Sequence, residues 1–467
     1  MSKKLLLINP RNYYKQGLLK YEFSNFPPLG LGIVARLTPD DWEIEILDEN
    51  FDNFKYQEAD LVGFTAFTSN VYRAYQIAQI YRQNGIPTVI GGIHASMMPD
   101  EALNYVDTVV KGEAESIWAT VIADFEKGKM KKVYNGVRLP ANKLVPARHD
   151  LFHPDYAFAS IQTTRGCPWR CDFCSVHAFN GTVYRQRPIK DILDEIEMTK
   201  EKEHLFFVDD NIIGYSKKSL ERTIELLKGM KERGYKREWI SQASINFAEN
   251  EEVLQLAHDT GCKMVLLGIE SEKLESLEET NKDLNKKIGF GHYDEIFSKI
   301  HQYGISVLGT FIFALDTDTP EDLKKRVDFI INSKVDSFQT SVLTPFPGTG
   351  TYRKFVKEDR IHYKNFPEDW QRMRFFENVI KPVNMTHGEL NDILYIEWGR
   401  LFHKRTLLNK FKMTYKETGD KRAAFWALTA NANYGNTIFE GTNQFFDISG
   451  FYDSIYMFKP EKVNYEL

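Results

Sequence analysis

Three of the four cysteines in this sequence are clustered as C-x3-C-x2-C, at Cys167, Cys171 and Cys174. Three thiolates at this spacing can each bind one iron of a [4Fe–4S] cluster. Because a fourth cysteine is missing from the cluster, one iron would keep a position open for a small chelating ligand. An open position is typical of catalytic rather than structural metal sites, so the spacing predicts a catalytic cluster.

Other metal sites remain as alternatives at this point. A zinc site would need a fourth ligand, and His177 follows Cys174 closely enough to provide one. However, zinc ribbons usually pair two C-x2-C knuckles, and the sequence has no second knuckle. A cluster used only for electron transfer is a further alternative. The remaining cysteine, Cys262, begins an apolar run and is predicted to be a buried core residue.

The cysteines follow the first of six apolar runs that alternate with helical patterns. Strands are predicted at 159–162, 205–208, 239–241, 264–267, 306–313 and 338–343. Six repeated strand–helix units predict a full or partial (β/α) barrel, in which the chemistry lies at the carboxyl ends of the strands. The cysteines have that position relative to the first strand.

A separate alternating series precedes this barrel. Strands are predicted at 5–8, 43–47, 61–64, 88–90 and 108–110, with helical patterns between them. Short apolar strands that alternate with helices indicate a parallel sheet covered on both faces. The predicted fold is a doubly wound α/β domain of the Rossmann or flavodoxin type, whose ligands lie beyond the carboxyl ends of the strands.

The chain is predicted to contain three domains and one linker. The doubly wound domain covers 1–140, an aperiodic linker covers 141–158, the barrel covers 159–355, and a mostly helical C-terminal cap covers 356–467. The length of 467 residues fits two or three domains.

Composition indicates an ordinary soluble protein. Hydrophobic residues make up 42% and charged residues 27% of the chain, and the net charge of −5 does not suggest nucleic-acid binding. The sequence has no apolar run long enough to span a membrane, and its N-terminal apolar stretch is too short for a signal peptide. Clustered cysteines without an export signal predict a cytoplasmic location.

The cysteine motif after the first barrel strand resembles the radical S-adenosylmethionine (SAM) superfamily. In that family the open iron binds the amino and carboxylate groups of SAM, and an electron from the cluster cleaves SAM to a 5′-deoxyadenosyl radical. The resemblance implies that the three cysteines bind iron and that Phe173 provides backbone contacts to adenine. It also implies that Ser244 and Glu270, which end the third and fourth barrel strands, hold the ribose or the methionine end of SAM. Structural roles for Glu270, Asp209 and Asp210 remain as alternatives.

The first domain, taken together with the run Pro27-Pro28-Leu29-Gly30-Leu31-Gly32, resembles the cobalamin-binding domain that precedes many radical SAM barrels. The resemblance covers about residues 1–355. The hydroxyl residues Thr65, Thr68 and Ser69 after the third strand and the pair Gly91-Gly92 after the fourth would surround the nucleotide tail of cobalamin. His94, which follows this pair closely, is a candidate contact. The D-x-H-x-x-G motif that supplies a histidine to cobalt is absent, and Asn9-Pro10-Arg11-Asn12-Tyr13-Tyr14 follows the first strand instead. The absence implies cobalt without a lower histidine ligand, or a domain that has lost cobalamin.

The family resemblance implies a C-methyltransferase that uses a [4Fe–4S] cluster, SAM and cobalamin. The deoxyadenosyl radical would take a hydrogen atom from an unactivated carbon, and methylcobalamin would supply the methyl group. An oxidative cyclase of a tetrapyrrole is the alternative within the family. A methylthiotransferase is disfavoured because it needs three more cysteines, and a non-catalytic cobalamin or redox sensor would not need an open iron.

The partners follow from the same resemblance. An external electron donor such as flavodoxin or ferredoxin would reduce the cluster. The substrate could be a tetrapyrrole, a lipid or a peptide side chain, and the aromatic residues of the predicted cap suit each of them.

Overall fold

The computed structural model describes residues 2–12 and 26–439. Tyr13 and Tyr14 of the loop after the first strand, and residues 440–467 of the predicted cap, lie outside the described residues. The described part forms two six-stranded parallel sheets, a small antiparallel ribbon and a helical C-terminal region. The predicted α/β class, with a cobalamin-type sheet before a barrel-type sheet, is confirmed.

The first sheet has the strand order β2-β1-β3-β4-β5-β6. Its strands are β1 (Lys4–Asn9), β2 (Glu43–Asp48), β3 (Leu61–Thr65), β4 (Thr88–Gly91), β5 (Thr108–Lys111) and β6 (Val133–Asn135). Every neighbouring pair is parallel. The strand order changes direction between β1 and β3, and such a switch point opens a crevice at the carboxyl edge of a doubly wound sheet.

Helices cover both faces of this sheet: α1 (Leu29–Leu37), α2 (Val71–Gln83), α3 (Ile93–Met97), α4 (Pro99–Ala102) and α5 (Trp118–Glu126). The strands are nearly uniformly apolar because both faces are buried, and the side chains of Leu5 to Ile8 are at most 1% exposed. Helix α2 turns one apolar face to the sheet through Val71, Ala74, Ala78 and Tyr81.

Strand β6 (Val133–Asn135) is absent from the five strands that the sequence predicts for this region. Three residues are too few to show an alternating pattern, and the strand forms only because it pairs with the edge of β5. The backbone amide of Gly136 extends this pairing to the carbonyl of Lys111. The first sheet therefore ends at Asn135, within the range 1–140 that the sequence predicted for the doubly wound domain.

The second sheet contains β7 (Phe158–Ile161), β10 (His204–Phe207), β11 (Glu238–Ala243), β12 (Cys262–Glu270), β13 (Ser306–Phe313) and β14 (Ser337–Val342). These six strands are parallel and adjacent in chain order, which is the arrangement of a partial (β/α) barrel. Strands β8 (Thr164–Arg165) and β9 (Arg185–Gln186) form a separate antiparallel ribbon after β7. All six predicted strands are present.

The helices of the second sheet are α6 (Val176–Asn180), α7 (Ile189–Met198), α8 (Lys217–Glu232), α9 (Glu251–Asp259), α10 (Leu274–Glu279), α11 (Tyr293–His301) and α12 (Pro320–Asn332). The C-terminal region follows with α13 (Gly350–Lys357), α14 (His387–Leu401), α15 (Lys404–Thr418) and α16 (Lys421–Ile438). Asn431 of α16 donates to the carbonyl of Asp336 and accepts from the amide of Phe338, so this helix packs against the β14 edge. Across the described ranges, every helix is too short or too polar to be a candidate membrane span.

Candidate functional site

The three clustered cysteines lie on the loop that connects the two strands of the β8–β9 ribbon. Gly166, with a φ of 92°, turns the chain sharply before Cys167, whose amide bonds the carbonyl of Gly181. The amide of Cys174 bonds the carbonyl of Cys171 in a tight turn. Cys171 is buried, the other two thiols are half-buried, and none forms a disulfide.

Asp209, at the end of β10, anchors the start of this loop. Its carboxylate is fully buried and accepts hydrogen bonds from the amides of Thr163 and Thr164, at 2.7 and 2.6 Å. The guanidinium of Arg222 donates to the hydroxyl and carbonyl of Thr163 from the other side. Asp209 therefore holds the backbone at the start of the loop. Its neighbour Asp210 instead lines the adjacent cavity.

All three cysteines line one cavity of about 330 Å³ at the carboxyl end of the second sheet. Burial raises the pKa of the three thiols, and that of Cys174 to about 12. The thiols consequently need nearby positive charge to ionise, which iron ions provide when they bind. The charge of Lys282, in the same cavity, favours the thiolate of Cys171.

The three thiols have the chemistry of a [4Fe–4S] site. Among residues 2–12 and 26–439, no three cysteine, histidine or carboxylate side chains gather closely enough to hold one metal ion. A [4Fe–4S] cluster binds three thiols through three different irons, and all three thiols line this one cavity.

The cavity also brings together the residues predicted to hold SAM. Phe173, Ser244 and Glu270 all line it, although they come from the cysteine loop and from the ends of β11 and β12. The hydroxyl of Ser244 accepts a hydrogen bond of 2.8 Å from Asn211, which fixes the position of this side chain. The contacts of these residues with SAM remain predictions.

Glu270 has two features that are typical of functional residues. Its φ of 64° lies in the left-handed region, which a glutamate rarely adopts without support from its surroundings. Its buried carboxylate accepts from Lys282 Nζ at 2.6 Å and from Thr310 Oγ1 at 3.2 Å. Lys282 was not predicted from the sequence. A carboxylate buried inside a barrel needs a neighbouring cation, so a partner for Glu270 could be expected. The sequence does not indicate which lysine or arginine is that partner.

The residues predicted to contact cobalamin lie at the carboxyl ends of β3 and β4. Gly92 has a φ of 95°, and a Cβ there would lie 2.9 Å from the carbonyl oxygen of Ala66 and 3.1 Å from Thr65 Oγ1. A side chain is therefore excluded where these two loops meet. Ser69 and Gly91 are half-buried nearby. These hydroxyl and glycine residues lie beside the switch point, where doubly wound sheets bind ligands, and their individual contacts with cobalamin remain predictions.

Two of these predicted residues point into the domain instead of the crevice. His94 is 1% exposed and Thr68 is 5% exposed. The Nδ1 of His94 lies 3.2 Å from the hydroxyl of Thr68, and its Nε2 lies 3.3 Å from Glu101. Glu101 also accepts from the indole of Trp370, at 2.9 Å. The network therefore joins the first sheet to the C-terminal region.

Buried ion pairs join the carboxyl edge of the first sheet to the β8–β9 ribbon. Glu113, just after β5, accepts from Arg185 of β9 at 3.0 Å, and Glu115 pairs with Arg165 of β8 at 2.6 Å. All four side chains are at most 10% exposed. These contacts fix the cobalamin-type sheet against the ribbon that holds the cysteine loop.

Comparison with known proteins identifies both parts of the chain. The family model of the radical SAM superfamily matches residues 161–330, and the model of the B12 binding domain matches residues 23–122. Bacteriochlorophyllide d C-12(1)-methyltransferase of Chlorobaculum tepidum is 31% identical over 410 residues, which cover 81% of this chain and 86% of the relative. Anaerobic magnesium-protoporphyrin IX monomethyl ester cyclase of Rubrivivax gelatinosus is 26% identical, over 78% of this chain and 68% of the relative.

A solved structure has a similar fold. The radical SAM methyltransferase TsrM from Kitasatospora setae, with cobalamin and a [4Fe–4S] cluster bound, has a TM-score of 0.62 and 19% sequence identity. The match covers 84% of this chain and 82% of that chain.

The fold, the cysteine loop and the matched regions together define a radical SAM enzyme with a B12-binding domain. The chain belongs to the cobalamin-dependent radical SAM methyltransferase family. The cofactors of this family are a [4Fe–4S] cluster, SAM and cobalamin. The family also requires a reductant.

Proposed function

We propose that this protein methylates an unactivated carbon of an apolar substrate. The observation that carries the proposal is the composition of one cavity. Its walls combine the three cysteines, the predicted SAM residues and the aromatic pair Phe346 and Phe375. The curated relative with 31% identity, named as a methyltransferase of bacteriochlorophyllide d, supports the same reaction class.

When bound, the cluster, SAM and cobalamin would supply a hydrogen-abstracting radical and a transferable methyl group. The proposed net reaction replaces one carbon-bound hydrogen of the substrate with a methyl group. One SAM ends as S-adenosylhomocysteine after losing its methyl group. A second SAM ends as methionine and 5′-deoxyadenosine, which carries the substrate hydrogen. Electrons come from an external donor such as flavodoxin or ferredoxin.

The protein's own residues would bind and orient the reactants. Cys167, Cys171 and Cys174 would hold three irons. The carboxylate of Glu270, together with Ser244, would bind hydroxyl or ammonium groups of SAM, because a carboxylate suits both kinds of donor. Lys282 holds this carboxylate in place through its hydrogen bond of 2.6 Å.

The aromatic pair would bind the substrate. The rings of Phe346 and Phe375 are 5.1 Å apart at 61°, and the carbonyl of Phe375 accepts from the amide of Val342 at 2.6 Å. Phe375 therefore has a fixed backbone, yet its side chain is 45% exposed. A flat or elongated apolar substrate, such as a tetrapyrrole or a lipid, would cover it and exclude water from the cavity.

The proposed division of labour follows the predicted domains. Residues 1–140 would hold cobalamin, 159–355 would hold the cluster and SAM, and 356–467 would select the substrate, with 141–158 as the linker. The buried ion pair between Glu113 and Arg185 supports one fixed orientation of the first two domains.

Oxidative cyclisation of a tetrapyrrole is the second candidate. It is favoured by the 26% identity to an anaerobic magnesium-protoporphyrin IX monomethyl ester cyclase. The two reactions would use the same cofactors, but only methylation consumes a SAM methyl group.

Product analysis distinguishes these functions. The protein is reconstituted anaerobically with iron, sulfide, cobalamin, SAM and reductant, and is then supplied with tetrapyrrole and lipid substrates. Methylation predicts 5′-deoxyadenosine, S-adenosylhomocysteine and a product heavier by one methylene unit, whereas cyclisation predicts 5′-deoxyadenosine alone. The Cys171→Ala variant should lose the cluster absorbance, and the Cys262→Ala variant should keep it because Cys262 is buried within β12. Retention of the cluster by Cys171→Ala would contradict the proposal.

A further inference from the structure

Strand β14 contributes two polar side chains to the wall of the cavity. Gln339 and Ser341 both line it, while Phe338 and Thr340 alternate with them and are fully buried. This alternation is the ordinary pattern of a strand, so both polar side chains point toward the barrel interior. A polar group inside a barrel costs free energy unless it has a hydrogen-bond partner. The partners of Gln339 therefore indicate what this part of the cavity binds.

The side chain of Gln339 is held by Tyr434 of α16. The phenol of Tyr434 donates to Gln339 Oε1 at 3.1 Å. Burial raises the pKa of this phenol, so it keeps the proton that it donates. Asn431, one helical turn earlier, bonds the backbone at the start of β14 through both ends of its amide group. Gln339 is therefore oriented by a helix that is anchored on its own strand.

The amide nitrogen of Gln339 is free to donate into the cavity. Its oxygen is taken by Tyr434, and among residues 2–12 and 26–439 no acceptor lies within hydrogen-bond distance of its Nε2. This nitrogen carries two N–H donors. A donor that loses its water when a ligand fills the cavity needs an acceptor on that ligand, because an unpaired buried donor costs free energy.

The charges of the cavity favour an uncharged acceptor. The carboxylates of Asp210 and Glu270 line it, whereas Lys282 is its only lysine or arginine within the described part of the chain. Lys282 is already paired with Glu270, at 2.6 Å. A ligand carboxylate or phosphate would therefore lose its water without gaining a free cation, which is costly. A carbonyl oxygen accepts hydrogen bonds without carrying a charge.

The spacing along β14 shows how such a ligand would lie. Val342, three residues after Gln339, donates to the carbonyl of Phe375, whose exposed ring is the proposed apolar contact. Three strand residues span roughly 10 Å. An elongated or flat apolar molecule of that length can cover the ring of Phe375 and reach Gln339 with an oxygen atom.

We propose that Gln339, oriented by Tyr434, binds a carbonyl oxygen of the apolar substrate and thereby selects substrates that carry one. The inference rests on the proposed function and adds the substrate class, an apolar ketone of either a tetrapyrrole or a lipid. Gln339 would contact the substrate itself. Tyr434 would act through Gln339 as a positioning residue.

Matched probes with and without a ketone test this proposal. The reconstituted protein with cobalamin and SAM, kept without reductant so that no reaction occurs, is titrated with two pairs. Oxo-octaethylchlorin and octaethylchlorin represent tetrapyrroles, and cholestanone and cholestane represent lipids. In at least one pair the ketone should bind about tenfold more tightly than its partner. That pair identifies the source of the substrate, whereas equal binding within both pairs, or no binding of either ketone, would overturn the proposal.

Substitutions assign the preference to Gln339. Gln339→Leu should weaken ketone binding about tenfold and leave the ketone-free partner unaffected. Tyr434→Phe should weaken ketone binding less, because Gln339 keeps its donor and loses only its orientation. Gln255→Leu, at an exposed glutamine of α9 that bonds Asp259 at 2.8 Å, is the matched control and should change neither affinity. An equal loss of both probes in Gln339→Leu would overturn the proposal, because it would show a residue that only supports the barrel.

The carbonyl stretch of the bound ketone provides a readout that packing alone would not move. Isotope-edited infrared spectra should place it at lower frequency in the unaltered protein than in hexane, since a hydrogen bond weakens the C=O bond. The shift should disappear in Gln339→Leu and shrink in Tyr434→Phe. A bound ketone with the frequency found in hexane would overturn the proposal. Failure of the proposed methylation would show differently, as absent S-adenosylhomocysteine in the product analysis while the ketone still binds.

Discussion

The phenol oxygen of Tyr215 lies 3.1 Å from the sulfur of Cys167. Burial and the neighbouring Cys167 raise the pKa of this phenol, so Tyr215 keeps its proton and would donate to Cys167 once this sulfur binds iron as a thiolate. Hydrogen bonds to cluster-ligating sulfurs stabilise the reduced, more negative cluster and raise its reduction potential.

The Tyr215→Phe substitution should therefore make the cluster harder to reduce. The expected change is a fall in midpoint potential on the order of tens of millivolts, measured by a redox titration followed by electron paramagnetic resonance. Tyr184→Phe is the matched control, since this neighbouring phenol donates to the carbonyl of Asn211 at 2.6 Å. Equal shifts of the midpoint potential in both variants would contradict the assignment of Tyr215 as the hydrogen-bond donor to Cys167.

The Glu270→Gln substitution should weaken SAM binding and leave the cluster in place. The variant loses the charge that would attract the ammonium group of SAM, so affinity should fall about tenfold or more. The change in the cluster's paramagnetic spectrum on addition of SAM measures binding. Glu272→Gln, two residues further along, removes a carboxylate that bonds Arg326 at 3.0 Å and should not alter SAM affinity.

The sequence predicted the strands of both sheets well, because each is a short apolar run between turn residues. It missed β6 (Val133–Asn135), which exists only through pairing with β5. Within the site, spacing alone identified the cysteine triad. The partners Lys282 and Tyr215 could not be predicted, since their contacts depend on how distant loops pack. The orientation of His94 into the domain likewise depends on Glu101, which no local pattern links to it.

The Phe375→Ala substitution should impair substrate binding without affecting the cofactors. Loss of this exposed ring removes apolar contact area from the cavity wall, so KM should rise about tenfold. Cleavage of SAM in the absence of substrate should be unchanged. Phe290→Ala, at a phenylalanine of similar exposure (42% against 45%) that does not line the cavity, should leave KM as it is. An unchanged KM in Phe375→Ala would remove this ring from the substrate site.

Lys410 should make the free energy of unfolding rise with pH in the alkaline range. It is 3% exposed and donates to the carbonyls of Ser333 and Val335, and burial lowers its pKa to about 8. Between pH 8 and its ordinary value of 10.5, the unfolded chain binds more protons than the folded chain, so the contribution of Lys410 to stability rises with pH. The free energy of unfolding should gain on the order of 1 kcal/mol between pH 8 and 9 relative to Lys410→Met. Urea titrations of the unaltered protein and of Lys410→Met at each pH measure this gain. The same change of unfolding free energy with pH in both proteins would contradict the prediction.

The ion pair between Glu113 and Arg185 should couple the two cofactor domains. Burial acts to raise the pKa of Glu113, but the hydrogen bond from Arg185 and the charge of Arg165 hold it below its usual value. Arg185→Met would leave a buried carboxylate with less compensation, at a cost of about 3 kcal/mol. Glu113→Gln keeps the shape of the side chain and removes the charge. The double variant should therefore be less unstable than the sum of the two single variants, and unfolding titrations of the four proteins measure this coupling energy.

The ion pair should also affect the two products of SAM differently. In the proposed methylation, S-adenosylhomocysteine would need both domains and 5′-deoxyadenosine the barrel alone, so a loosened interface should lower the first product more than the second. Lys190→Met is the control, because it breaks an exposed pair with Asp194 that stays within α7 and should affect neither product. An equal loss of both products in Arg185→Met would mean that the ion pair supports the cysteine loop and not the docking of the domains.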